Sequence, residues 1–456
     1  MGQSISRNTI VKSFLWKLFE KCSVQGVSFI VSIILARVLM PEEYGMIALV
    51  LVFINFANVI IDGGLSTALI QKKNADDIDF STILFSSIVI SVLIYTILYV
   101  TSPYIAIFFN QSELMPLIRV IGVSLLFGAV NSVQRAYVSK HMLFNKLFKC
   151  SLLSVLTSGT IGVLMAYKDF GVWALVCQHL LSSILIFITM WIVIRWRPRF
   201  VFSKDRFIQL FDFGWKILTS NILISLFINI RSLLIGKFFT PSALAFFDKG
   251  KLFPSLLMEN IGSSIQTILL PVLSEEQDDR SRVKAMLRRS IKTSSLFIFP
   301  LLIGLIVCAE PLVKILLTEK WINTVPFIQI FSMSYLLMPI QQANMEAIKA
   351  LGYSSITLRL ESYKKVLEVF ILIVSIMGGV IGIAWGVVVY NTICMFINLF
   401  PCKKILGYGY IEQIRDIFPI LTIASFMGIC IYGIGLLPFL ENSPWLLIML
   451  QIIIFQ

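Results

Sequence analysis

The chain predicts an all-α integral membrane protein of about fourteen transmembrane helices, set as two six-helix bundles in parallel repeat plus two C-terminal helices. Three observations predict this. Uncharged apolar runs such as 80–112, 170–194, 321–345 and 417–440 recur along the 456 residues, and a spanning helix needs about 20 such residues. Apolar residues make up 57% of the chain, charged ones only 14%, and mean hydropathy is +0.88, against roughly 25% charge in soluble domains. Basic residues gather in alternate loops.

Spans are expected near 13–36, 44–70, 80–101, 116–138, 148–167, 171–194, 214–236, 243–272, 293–317, 325–347, 358–377, 381–400, 416–437 and 443–456. The first follows Arg7 and Lys12, carries Lys17, Glu20 and Lys21, and precedes no small-residue cleavage site, so it reads as a retained helix rather than a signal peptide. The last is short for a bilayer and suggests a partial or truncated helix. Of the 38 Lys and Arg, 27 fall in one set of loops, from Arg7 and Lys12 through Lys72–Lys73, Arg135–Lys149, Arg195–Lys216, Arg280–Lys292 and Lys349–Lys365 to Lys403–Arg415. Only 5 fall in the opposite set (Arg37, Lys168, Lys237, Lys314 and Lys320). The positive-inside rule puts both termini in the cytoplasm. The run Arg280–Lys292 reads as an amphipathic connector between the halves that lies on anionic headgroups.

The repeat shows in three pairs. "FLWK" at 14–17 answers "FGWK" at 213–216, "VLMPEEYG" at 38–45 answers "FFTPSALA" at 238–245, and "GVWALV" at 171–176 answers "GIAWGVVV" at 382–389. Six spans separate the copies, so both halves cross in the same sense. Residues 1–206 and 207–402 form the two bundles, and 403–456 lie outside the repeat.

Six basic residues fall inside predicted spans: Lys17, Lys21, Arg119, Arg231, Lys249 and Lys251. Each costs roughly 2.5–3.5 kcal/mol at mid-bilayer unless it faces water or a partner. Helical spacing groups polar residues into stripes: Lys17, Lys21, Gln25, Ser28 and Ser32; Asn55, Asn58, Asp62 and Ser66; Asn221, Ser225, Asn229 and Ser232, with Arg231 at the edge; Asp248, Lys251, Ser255, Glu259 and Gln266, with Lys249 offset. These are spans 1 and 2 and their repeat partners 7 and 8, which predicts one polar central cleft. A plainer reading has Lys17 and Lys21 snorkelling to headgroups, Asp248 pairing with Lys251, and Arg119 sitting at the outer interface.

Composition and motifs exclude other classes. The basic residues lie between spans rather than on one soluble face, so no nucleic-acid partner is expected. Seven cysteines without a CxxC pair and only two histidines argue against a disulfide framework or metal centre. No GxxxxGK[ST], HExxH or GxSxG occurs, so neither a nucleotide motor nor a hydrolase is expected and no cofactor is called for.

The segments "ILARVLMPEEYGMIALV" (34–50), "DGGLSTALIQKK" (62–73), "ILLPVLSEEQDDRSRVKAMLRRS" (268–290) and "AEPLVKILLTEKW" (309–321) resemble the Wzx-type flippases. These form the polysaccharide-transport branch of the multidrug/oligosaccharidyl-lipid/polysaccharide exporter superfamily. The resemblance implies a non-enzymatic transporter that flips an undecaprenyl-pyrophosphate-linked oligosaccharide (an O-antigen, capsule or exopolysaccharide repeat unit) from the inner to the outer leaflet by alternating access. It implies lipid and glycan-assembly proteins such as a polymerase as partners. It also implies cationic cavity residues in the regions of Lys17, Lys21, Arg231, Lys249 and Lys251. Gln25, Asn55, Asn58, Asn221, Asn229 and Gln266 are then candidates for glycan hydroxyls, and Asp62, Asp248 and Glu259 for coupling to a proton or sodium gradient. The alternatives are an ion-coupled multidrug antiporter of the same superfamily, expected to have a more acidic and aromatic pocket, and a membrane glycan polymerase or ligase, expected to have a large outer loop.

Overall fold

A computed structural model describes residues 7–435, with the backbone alone at 7–14, 260–261, 263–268, 354 and 434–435. The described residues are nearly all helical. The helices are α1 (Arg7–Val38), α2 (Pro41–Asp62), α3 (Leu65–Gln71), α4 (Asp77–Phe109), α5 (Leu114–Gly122), α6 (Ser124–Lys140), α7 (Phe144–Tyr167), α8 (Val172–Val193) and α9 (Lys204–Phe238). They continue as α10 (Pro241–Glu275), α11 (Arg280–Val307), α12 (Ala309–Leu316), a 3₁₀ turn (Glu319–Thr324), α13 (Val325–Tyr335), α14 (Met338–Ala350), α15 (Ser354–Ile376), α16 (Gly379–Leu406) and α17 (Tyr410–Gly435). Eleven segments among the described residues are long and apolar enough to cross a membrane. The predicted spans 243–272 and 358–377 fall on α10 and α15, outside those eleven. The predicted span 443–456 lies outside the described residues.

Packing divides the chain into two compact units, Met1–Leu244 and Ala245–Gln456. Within the first, α1 packs on α7, α7 on α8, and α9 on α2, α3 and α4. Within the second, α11 packs on α17, α13 and α14, and α16 on α13, α14 and α15.

The helices are dressed for lipid. On α4, Ser81, Ser87, Ser91 and Ser102 are buried, while Val89, Leu93, Ile97 and Val100 are more than half exposed. On α7, Ser151, Ser154 and Ser158 face inward and Leu153 and Leu164 face out. Small residues let helix backbones approach, and apolar surface costs nothing in hydrocarbon. Ser154 Oγ donates to Cys150 O at 2.7 Å and Ser81 Oγ to Asp77 O at 2.6 Å, each on the preceding turn, whereas Ser151 Oγ is buried without a hydrogen-bond partner among the described residues.

Several predicted spans are broken rather than continuous. Span 44–70 ends at Gly63 and Gly64, both at positive φ (53° and 68°), and restarts as α3. Span 116–138 is split between α5 and α6 around Val123, and 293–317 between α11 and α12 at Cys308. Apolar content alone does not register such breaks.

The paired Pro signals are helix starts: α1 ends at Val38 and α2 begins at Pro41, as α9 ends at Phe238 and α10 begins at Pro241. Pro suits the first helical position, where no intrahelical N–H is needed. The rest of the "PEEYG" motif has physical work. Glu43 accepts a hydrogen bond from Met40 N at 2.7 Å, Tyr44 Oη donates to Ser32 O of α1 at 3.1 Å, and Gly45 lies directly against the backbone of Pro241. Glu43 also rests on Gly171, so this motif and "GVWALV" touch.

The expected connector at Arg280–Lys292 is instead the first half of α11. Its bases pair with α17: Lys284 with Glu412 at 2.8 Å, Arg288 with Asp416 at 2.5 Å and Lys292 with Asp416 at 3.0 Å. Basic periodicity read as headgroup affinity because the acidic partners lie about 130 residues further on.

Candidate functional site: a polar cavity in the first unit

In the first unit a cavity of about 410 Å³ lies among α2, α3, α6 and α8. Asn58 and Asp62 reach it from α2, Ser66 from α3, Asn131, Ser132, Arg135 and Ser139 from α6, and Ser183 from α8. The spacing 58, 62, 66 holds one face despite the Gly63–Gly64 break, so part of the predicted stripe is brought together. Gly128 of α6 lies against the Asn58 side chain, where a methyl group would approach Oδ1 to 3.0 Å.

The hydrogen bonds run in series. Ser132 Oγ donates to Asp62 Oδ1 at 2.5 Å, and Ser66 Oγ lies 2.8 Å from Ser132 Oγ. Asn131 Nδ2 donates to Ser183 O at 3.1 Å, while Asn131 Oδ1 is buried with no hydrogen-bond partner among the described residues. Glu20 of α1 lies within electrostatic reach of Arg135. Chemically the wall offers acceptors (Asp62, Asn131 Oδ1) opposite donors (Arg135 and the serines).

Arg135, Asn131 and Ser132 were not among the predicted site residues. Arg135 was counted with the basic loop before Lys149; it lies inside α6, five residues short of its end. Its spacing from Ser132 and Asn131 on the face that also carries Ser139 was the available signal.

The other predicted residues are placed as follows. Asn55 is exposed and does not line the cavity. Lys17 is exposed, its Nζ 5.6 Å from the centre of the Phe144 ring, and Lys21 and Gln25 are half-buried on the same helix. On α9, Asn221 and Arg231 are half-buried, and Asn229 Nδ2 bonds back to Ser225 O at 2.8 Å. Arg119 is a packed structural residue: its Nε donates to Ser102 Oγ at 3.0 Å and its guanidinium lies 4.2 Å from the Tyr99 ring.

In the second unit, α10 brings a charge cluster together. Lys249 is 8% exposed, with Nζ 5.8 Å from the Trp321 ring, and Asp248 feels both Lys251 and Lys249. The residue read as offset from the stripe is thus the buried one. Glu259 is exposed, and the Gln266 side chain lies outside the described residues. On α15, Lys364 and Glu368 are 7% and 5% exposed. They sit roughly 15 and 21 Å along the helix from its start at 1.5 Å per residue, deeper than the loop position assigned to Lys364.

Residues 34–326 match the polysaccharide biosynthesis protein family. Among curated relatives, the teichuronic acid biosynthesis protein TuaB of Bacillus subtilis is 24% identical over 84% of this chain and 80% of its own. The succinoglycan biosynthesis transport protein ExoT of Rhizobium meliloti is 24% identical over 73% and 68%. The lipopolysaccharide biosynthesis protein WzxC of Escherichia coli is 21% identical over 94% and 89%. Among solved structures, the lipid II flippase MurJ in an inward closed conformation superposes with a TM-score of 0.79 at 14% identity, covering 97% of this chain and 96% of that one. An inward-facing multidrug resistance MATE transporter gives 0.61, also at 14% identity, over 90% and 99%. With 293 of its 456 residues matched and the resemblance to the polysaccharide-transport branch borne out, the chain belongs to the polysaccharide biosynthesis protein family.

Proposed function

We propose that this protein flips a lipid-linked oligosaccharide from the inner to the outer leaflet of a bacterial inner membrane by alternating access. The observation that carries the reading is a polar, ionisable cavity walled by α2, α6 and α8, which lie in membrane-length segments, together with the short α3, in a chain of the polysaccharide biosynthesis family. TuaB, ExoT and WzxC are each named for glycan biosynthesis, ExoT for transport.

A lipid-linked glycan has an anionic pyrophosphate, a hydroxyl-rich head and an apolar tail. Lys17 and Lys21 on α1, Arg231 on α9 and Lys249 and Lys251 on α10 are the cations for the pyrophosphate, which takes charge-assisted hydrogen bonds readily. Gln25, Asn58, Asn221 and Asn229 exchange donors and acceptors with hydroxyls. The tail stays in lipid, against helix surfaces already apolar. A proton or sodium gradient drives the cycle through Asp62, Asp248 or Glu259. In this reading the chain crosses the membrane fourteen times, as two six-helix bundles in parallel repeat plus two C-terminal helices, with both termini cytoplasmic and a polymerase downstream.

The Lys21→Ala/Lys251→Ala double variant tests it. It should insert at normal level yet leave lipid-linked oligosaccharide on the inner leaflet, with export of surface glycan falling at least tenfold. Full export at normal protein level would remove the cationic role. Drug sensitivity changing while export holds would favour the multidrug antiporter.

A further inference from the structure

We propose that the cavity of the first unit is a sugar-ring subsite, read by Asp62, Asn131 and Arg135, and not a pyrophosphate subsite. This deepens the flippase reading and rests on it.

The argument starts from Asn131. Its amide orientation is fixed, because only the NH₂ end can face the carbonyl of Ser183 at 3.1 Å. The oxygen end is therefore the one left over, on a residue 7% exposed that lines the cavity. An unpaired buried acceptor is destabilising, so the site awaits a donor. Asp62 adds to the demand: Oδ1 takes the Ser132 hydroxyl at 2.5 Å, and a carboxylate has further lone pairs to fill. A phosphate brings only acceptors and cannot satisfy either group; Asp62 would repel it. A polyhydroxyl ring brings both polarities on neighbouring carbons. Its hydroxyl protons go to Asn131 Oδ1 and Asp62, and its oxygens receive Arg135 and Ser139 across the cavity. A cavity of about 410 Å³ has room for one or two sugar rings. Asp62 is thereby assigned to the glycan, which leaves coupling to carboxylates elsewhere.

The test uses the full-length protein in lipid nanodiscs. The probes are the free oligosaccharide, released by mild acid from the cell's own lipid-linked repeat units, the intact lipid-linked form, and inorganic pyrophosphate. Asn131→Leu keeps the branched shape, removes the orphan acceptor and gives up the bond to Ser183 O, so the unfolding midpoint should move little. It should weaken free oligosaccharide binding at least tenfold and leave pyrophosphate binding unchanged; Asp62→Asn should do the same. Unchanged oligosaccharide binding by a folded Asn131→Leu protein overturns the proposal. So does pyrophosphate competing with the sugar in the wild type, or sodium alone being held in an Asn131-dependent way. Failure of the wild type to bind the lipid-linked form at all would instead sink the flippase reading, and the subsite with it.

Discussion

A methyl group added at Gly45 would sit 1.8 Å from the carbonyl oxygen of Pro241, and one at Gly64 would sit 2.4 Å from that of Gly214. Both neighbours are backbone and cannot swing aside. Gly64 also has φ of 68°, which favours glycine. Gly45→Ala should therefore destabilise the protein by about 3 kcal/mol, at the upper end for overpacking. Thermal unfolding in detergent would read this as a clear fall in midpoint. Gly26→Ala, where nothing lies within 4 Å, is the control and should not lower it.

At the scale of elements, α4 is started by Asp76, whose carboxylate accepts from Ile78 N at 3.1 Å and Asp79 N at 3.0 Å and pairs with Arg206. The Arg206 hydrogen bond holds the Asp76 carboxyl below its ordinary range. A depressed folded pKa means stability is present above the unfolded value of about 4 and lost as pH falls through the folded one. Wild type should thus melt above Asp76→Asn at pH 7, and the gap should close as pH drops below about 4. At the other end of the chain, Asp416 is 3% exposed while Arg288 and Lys292 are 43% and 44% exposed. Asp416→Ala should cost about 2 kcal/mol, less than the 3–5 of a fully buried pair, because water can take up the freed cations. Tyr408, fully buried with its hydroxyl on Asp416 Oδ2 at 2.9 Å, loses its partner too. A lowered midpoint with α17 more open to hydrogen exchange would confirm the clamp.

Elements were legible where local chemistry decides them. Pro41 and Pro241 mark helix starts by their missing N–H, and 58, 62 and 66 share a face by spacing. The α11–α17 clamp was not legible, since basic and acidic partners distant in sequence leave no local pattern. Nor was Arg135, because a single base near Lys140 and Lys146 looks like loop charge until the end of α6 is known. Lys249 was read as off the stripe, yet it is held by Trp321, seventy-two positions away in the chain.

For the whole molecule, the loop bias makes an orientation testable. In spheroplasts, a cysteine placed by Ser112→Cys, in the turn after α4, should react with a membrane-impermeant maleimide. One placed by Lys73→Cys, in the turn after α3, should react only after permeabilisation. The reverse pattern would invert the proposed direction of transport relative to the cavity, whose Arg135 and Ser139 end lies beside the Lys72–Lys140 loops: Lys140 Nζ donates to Leu69 O at 3.0 Å. A native background free of the seven cysteines is needed for either result.

The bare-backbone contact of Gly64 with Gly214 joins the foot of α2 to α9, and Leu49 seats against Gly236 nearer the other end. Two such fastenings, the first led by backbone against backbone, turn the pair into a splint. Neither rod can slide or roll alone; whatever tilts α9 during a working cycle must carry α2, and with it Asn58 and Asp62, as one piece.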